Sequence, residues 1–128
     1  MKKALVISFF FLFLQLIQAK TIDYNISHWS YSDEITNGWS DWELKNVKMS
    51  INYDKAIIYF HLNPISKYEI IEIVDNETYI SMVATHDNIT VEIEIRRLSR
   101  SIAEMTIYYG ITAKGTPLGF RLLINDLQ

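Results

Sequence analysis

The chain contains no cysteine, and its 128 residues include only two prolines and four glycines. The missing thiols exclude disulfides, thiolate metal ligands, a cysteine nucleophile and a lipid attached to a processed N-terminal cysteine. With so few glycines, no glycine-rich phosphate-binding loop is present. A chain of this length is sufficient for one domain, which must be stabilised by its apolar core without covalent cross-links.

The usual signatures of catalysis are also missing. The three histidines, His28, His61 and His86, lie far apart in the sequence. None of them has a His or Cys partner at the spacing of metal ligands. No serine lies in a Gly-x-Ser-x-Gly nucleophile elbow. We therefore predict no catalytic residue, no metal site and no cofactor, and we expect that the protein is not an enzyme.

The charge is acidic, with 15 Asp and Glu residues against 12 Lys and Arg residues. Cations are concentrated only at residues 96–100 (RRLSR), where an exposed turn and a small anion-binding spot are alternatives. An acidic chain argues against nucleic acid as a partner. Glu92 and Glu94 share one face of a predicted strand, where they are either paired functional carboxylates or part of a solvated surface beside Arg96.

The N-terminus has the layout of a secretory signal peptide. Lys2 and Lys3 form a basic head, residues 4–17 (ALVISFFFLFLQLI) are almost entirely apolar, and the small residue Ala19 follows. We predict a signal peptide over residues 1–19 and a single β domain over residues 20–128. A membrane anchor is the alternative, but a spanning helix needs about 20 apolar residues, so we expect no membrane span after cleavage.

The predicted location is outside the cytoplasm, in a bacterial periplasm or the extracellular space. A small secreted eukaryotic domain usually contains disulfides, whereas this chain has no cysteine. Asn25, Asn76 and Asn88 each begin an Asn-x-Ser/Thr triplet that a eukaryotic secretory pathway could glycosylate. Chance occurrence in a chain rich in Asn, Ser and Thr is the alternative.

Apolar residues alternate with polar residues along much of the chain, which predicts β-strands. The alternation is clearest over residues 47–53 and 89–96, and it is weaker over residues 21–26. Other runs are apolar on both faces, as expected for strands that are covered on both sides. These runs are residues 56–62, 70–74, 79–84, 103–111 and 120–124.

Short Asn-, Asp- or Gly-containing breaks separate these runs, and such residues suit tight hairpin turns. We therefore predict an all-β fold, an antiparallel meander of seven to eight strands. To protect its edges, the sheet is expected to form a closed or nearly closed small barrel, with a β-sandwich as the alternative. Residues 99–104 are compatible with one helical turn.

The aromatic segment 29–42 (WSYSDEITNGWSDW) is the strongest functional signal, since it holds all three tryptophans. Aromatic faces beside short polar side chains suit apolar ligands or sugar rings. Rings that plug one end of the barrel are the alternative. We predict a non-catalytic domain that binds an apolar or glycan-like ligand, held by residues 29–42 or by the barrel interior, or else an accessory module that docks on an envelope protein. The candidate ligand-binding residues are Trp29, Tyr31, Trp39 and Trp42.

Overall fold

The computed structural model describes residues 21–36 and 38–125, and it confirms the predicted antiparallel all-β fold. Eight strands form a closed barrel, and one further short strand pairs outside the closure. The strands are β1 (Thr21–Asp33), β2 (Gly38–Trp39), β3 (Glu43–Asn52), β4 (Ile57–Phe60), β5 (Ser66–Asp75), β6 (Tyr79–His86), β7 (Ile89–Arg97), β8 (Ala103–Ile111) and β9 (Pro117–Asn125).

The predicted signal peptide, residues 1–19, and its cleavage site after Ala19 lie outside the described residues. Within the two described ranges, no helix is long and apolar enough to cross a membrane. The helical turn expected at residues 99–104 is not formed. Instead, residues 99–101 bend, the amides of Leu98 and Ser99 donate to the Ile102 carbonyl, and β8 begins at Ala103.

Strand β1 closes the barrel because it pairs with both β3 and β9. Tyr24 lies opposite Met49 of β3, and Tyr31 lies opposite Phe120 of β9. From β3 to β9, each strand pairs with the next one along the chain, as a meander requires. The short strand β4 pairs only with residues 49–52 of β3 and residues 66–69 of β5, so the rest of these two strands lacks a ladder partner on that side.

A β-bulge divides β1 into two halves. The register shifts between Ile26 and His28 in the pairings with both β3 and β9. Tyr24 and Ile26 pack in the interior before the bulge, and Trp29 packs against the core after it. The inward positions therefore move by one residue. For this reason the alternation in the sequence stops at Ile26, although the strand continues to Asp33.

The barrel interior forms one apolar core. Ile58 and Met105 are fully buried on its inner face, and Met49 and Ile93 are almost fully buried. In the run at residues 70–74, which is apolar on both faces, a bulge between Ile70 and Glu72 shifts the inward positions by one, so Ile70 and Ile73 are both buried while Ile71 and Val74 are exposed.

Because the strands are antiparallel, the connections emerge alternately at two ends of the barrel. We call one the tyrosine end, because there the Tyr24 and Tyr53 hydroxyls are hydrogen-bonded at 2.6 Å. Burial raises the pKa of both of these hydroxyls. The opposite end is the pocket end. Its connections are residues 34–42, 61–65, 87–88 and 112–116.

Candidate functional site

An apolar cavity of about 100 Å³ lies inside the mouth of the barrel at the pocket end. Strands β1, β3, β4, β5, β8 and β9 contribute its walls. An empty apolar cavity of roughly 150 Å³ holds benzene, so this cavity has room for roughly four carbon atoms. The apolar walls are Ile26, Val47, Phe60, Ile107, Phe120 and Leu122.

Aromatic rings support the walls of the cavity. Trp29 stacks on Phe120 with ring centroids 5.7 Å apart, and Phe120 meets Tyr109 edge-on at 5.9 Å. On the opposite wall Phe60 and Tyr68 make an edge contact at 5.4 Å. The Tyr68 and Tyr109 hydroxyls are hydrogen-bonded across the interior, and burial raises the pKa of both. These contacts hold the walls in a preformed arrangement.

Lys45 is the charged residue of the cavity lining. It is half-buried, and its Nζ lies 4.4 Å from the centroid of the Trp29 ring, within cation–π distance. Among the residues that the structure describes, no carboxylate lies within ion-pair distance of Lys45. The cavity therefore combines an apolar interior with one positive charge in its lining.

A second aromatic cluster lies on the outer wall of the barrel. The guanidinium carbon of Arg121 is 4.8 Å from the Trp39 ring centroid and 4.5 Å from the Trp42 ring centroid. Arg121 Nη2 also donates to Ser30 Oγ at 3.0 Å, and the Ser30 hydroxyl donates to the Ser40 carbonyl at 2.6 Å. These contacts fasten the segment after β2 onto the outside of β1 and β9.

The barrel wall separates the four predicted ligand-binding residues into two groups. Trp29 lines the cavity, and Tyr31, paired with Phe120, shares the inner face of the sheet at the mouth. Trp39 and Trp42 lie outside, where the Arg121 guanidinium is within cation–π distance of both rings. The structure therefore brings Trp29 and Tyr31 to one end of the interior and places the other two on the surface.

No sequence motif identifies most of the residues that line the cavity. Lys45, Phe60, Ile107 and Phe120 come from four different strands, and no motif connects them. Alternation marks most of them as inward-facing positions, but it does not tell which inward positions surround open space. That distinction depends on how the barrel closes.

A group of Asp, Ser and His side chains lies on the outer face, in an order that does not suit nucleophilic catalysis. Ser50 Oγ donates to Asp23 Oδ1 at 2.5 Å and also contacts His61 Nε2 at 2.7 Å. Since the single hydroxyl proton goes to the carboxylate, His61 must be the donor to Ser50. It therefore cannot accept the serine proton, as a general base must.

The remaining polar candidates in the described residues are the predicted carboxylate pair and possible metal ligands. Glu94 Oε1 lies 3.8 Å from Arg96 Nη2, which is the solvated arrangement expected as one alternative for Glu92 and Glu94. Within residues 21–36 and 38–125, no group of three His, Cys, Asp or Glu side chains has the geometry of a metal site.

No protein-family model and no curated protein matches the sequence. Among solved structures, the chain is similar to HpuA from Kingella denitrificans, which was crystallised in complex with human haemoglobin. The TM-score is 0.48 and the sequence identity is 10%; the match covers 86% of this chain and 42% of the HpuA chain. The chain thus spans less than half of HpuA, and a likeness of this degree assigns no function.

Proposed function

We propose that the protein is a non-catalytic binding module that holds an apolar group in the cavity at its pocket end. The observation that carries this proposal is the preformed apolar cavity, opening at the mouth of the barrel. Exposed aliphatic side chains lie at the same end of the barrel, and covering them would remove further apolar surface from water. These side chains are Ile35, Leu44, Leu62, Ile65, Ile89 and Ile111.

The composition of the lining favours an apolar ligand over a glycan. Sugar recognition needs several directed hydrogen bonds, whereas this cavity offers mainly carbon atoms. On the outer wall, the faces of Trp39 and Trp42 that meet Arg121 are already occupied. Burying about four carbons at about 0.8 kcal/mol each supports affinity on the order of millimolar for a small neutral probe.

A single-tryptophan protein provides the test. Trp39→Phe and Trp42→Phe together leave Trp29, which lines the cavity, as the sole tryptophan. We expect 1-pentanol to shift its fluorescence in a saturable manner, at concentrations on the order of millimolar. Val47→Phe in the same background should abolish saturation, because the larger ring fills the cavity that Val47 borders.

The matched control is Val74→Phe, the same substitution at an exposed position on β5. It should leave the 1-pentanol titration unchanged. The proposal is wrong if 1-pentanol gives no saturable response, or if Val47→Phe and Val74→Phe respond equally while both remain folded by circular dichroism.

The exposed aliphatic side chains favour a second candidate function, a protein-interaction module that docks on an envelope protein. A partner's apolar side chain would then enter the cavity as an anchor, with the exposed aliphatic residues at this end excluding water. Both candidate functions are compatible with a signal peptide over residues 1–19 and with export to a bacterial periplasm or the extracellular space. The signal peptide and this location stay predictions.

A further inference from the structure

We propose that the ligand of the cavity is a short aliphatic carboxylate, with its hydrocarbon tail inside and its carboxylate beside Lys45. This inference rests on the proposed binding function and adds the chemical class of the ligand. It depends on the combination of an apolar cavity of about 100 Å³ with a single cationic side chain in its lining.

The surroundings of Lys45 suit an anion. Its ammonium lies 4.4 Å from the centroid of the Trp29 ring, where it keeps a cation–π contact but no carboxylate partner in the described part of the chain. By contrast, Lys48 on the same strand pairs with Asp23 at 3.7 Å. Glu43 is the acidic residue nearest in sequence, and it is exposed at the start of β3. The cation in the cavity lining is therefore available to a ligand.

The size of the cavity sets the length of the tail. Roughly four carbon atoms fit, by comparison with the benzene-sized cavity of roughly 150 Å³. Pentanoate has a tail of this length ahead of its carboxylate. Because Lys45 is half-buried beside the apolar wall, a carboxylate there would be partly shielded from water, which strengthens the attraction relative to a fully exposed pair.

Pentanoate and pentanamide form a matched pair of probes, since they have nearly the same shape but differ in charge. We expect pentanoate to bind the single-tryptophan protein about fivefold more tightly than pentanamide in low salt. The preference should decrease in 1 M NaCl, because salt screens the attraction. Lys45→Met should remove the preference, so that pentanoate and pentanamide bind with equal affinity to that variant, whereas Lys45→Arg should retain it.

Lys48→Met is the control, because Lys48 lies on the same strand but pairs with Asp23 on the outer surface. It should leave the preference for pentanoate unchanged. If 1-pentanol and pentanamide bind but pentanoate binds no better, the carboxylate inference is wrong while the binding function stands. If none of these probes binds, the proposed function itself fails.

N-acetyl-leucine distinguishes two sources of the carboxylate, a free aliphatic acid and the C-terminus of a peptide. It resembles a peptide terminus because it presents a leucine side chain and a carboxylate after an amide. If N-acetyl-leucine binds more tightly than pentanoate and loses affinity in Lys45→Met, the occupant is a peptide terminus and the aliphatic-acid proposal is overturned. Weaker binding of N-acetyl-leucine than of pentanoate supports the proposal.

Discussion

The two ends of the barrel are built from the same strands, yet they differ in how many large aliphatic side chains they expose. At the tyrosine end, the exposed ones among the described residues are Val74 and Leu98, at 48% and 52%. At the pocket end they are Ile35, Leu44, Leu62, Ile65, Ile89 and Ile111. Exposed apolar side chains beside an unfilled apolar cavity are typical of a binding surface, so the contrast locates the candidate function at one end.

Strand β1 contains the same contrast on either side of its bulge. Before the bulge, the Tyr24 hydroxyl meets Tyr53 at 2.6 Å, so a polar atom at that end of the core is satisfied internally. After the bulge, Trp29 has an indole Nε1 that is buried without a hydrogen-bond partner among the described residues. Its ring lines the cavity instead of filling it. Both ends contain a hydrogen-bonded pair of tyrosine hydroxyls, so within the described residues it is the unpaired Trp29 indole that distinguishes the interior at the pocket end.

The largest expected effect comes from truncating an interior side chain. Ile58 is fully buried, while Leu62 is the inward-facing residue four positions further along the chain, at the pocket end. We expect Ile58→Ala to lower the free energy of unfolding by about 3 kcal/mol, since it leaves a cavity. Leu62→Ala should cost less than about 1 kcal/mol, because its side chain is already half in water. Urea unfolding measures both, and equal losses would remove the contrast between the two ends.

Tyr24→Phe should have a smaller effect, lowering the free energy of unfolding by about 1.5 kcal/mol at pH 7 through loss of the Tyr53 hydrogen bond. Tyr59→Phe, on the outer face of β4, is the matched control and should cost less than about 0.5 kcal/mol.

The same hydroxyls predict a dependence of stability on pH. Burial raises the pKa of Tyr24 and Tyr53 above the value near 10 that they have when unfolded. The folded state then holds more protons than the unfolded state, so their stabilising contribution is complete below pH 10 and declines as the pH rises beyond it. Unfolding in urea between pH 8 and pH 11.5 tests this, and a midpoint that stays constant above pH 10 would contradict it.

The smallest effect is expected on the outer wall of the pocket end. Arg121→Met removes the cation within cation–π distance of Trp39 and Trp42, and the free energy of unfolding should fall by about 1 kcal/mol. The Ser40 amide, which donates to the Tyr31 carbonyl at 2.7 Å, should exchange its hydrogen faster than in the parent protein. Unchanged exchange at Ser40 would show that Arg121 does not hold this segment in place.

Alternation predicted most of the strands correctly, because one face of each strand meets the core and the other meets water. In β1 it predicted only residues 21–26, because the bulge at residues 26–28 moves the inward positions by one and interrupts the pattern in the second half of the strand. The prediction of one aromatic site over residues 29–42 placed together rings that the barrel wall keeps apart. Nearness in sequence did not reveal this, since the chain turns after β1 and Trp39 and Trp42 pack against Arg121 on the outer wall.

The residues alone establish the absence of disulfides and thiol chemistry, the period-two pattern and hence the antiparallel β fold, because these depend on composition and local side-chain direction. Closure of the sheet, the two pairings of β1 and the cavity that Trp29 and Phe120 line depend on contacts between strands that are distant in the chain. Lys45 acquires its proposed role in the same way, since its position beside an apolar cavity exists only after β3 and β9 have joined β1.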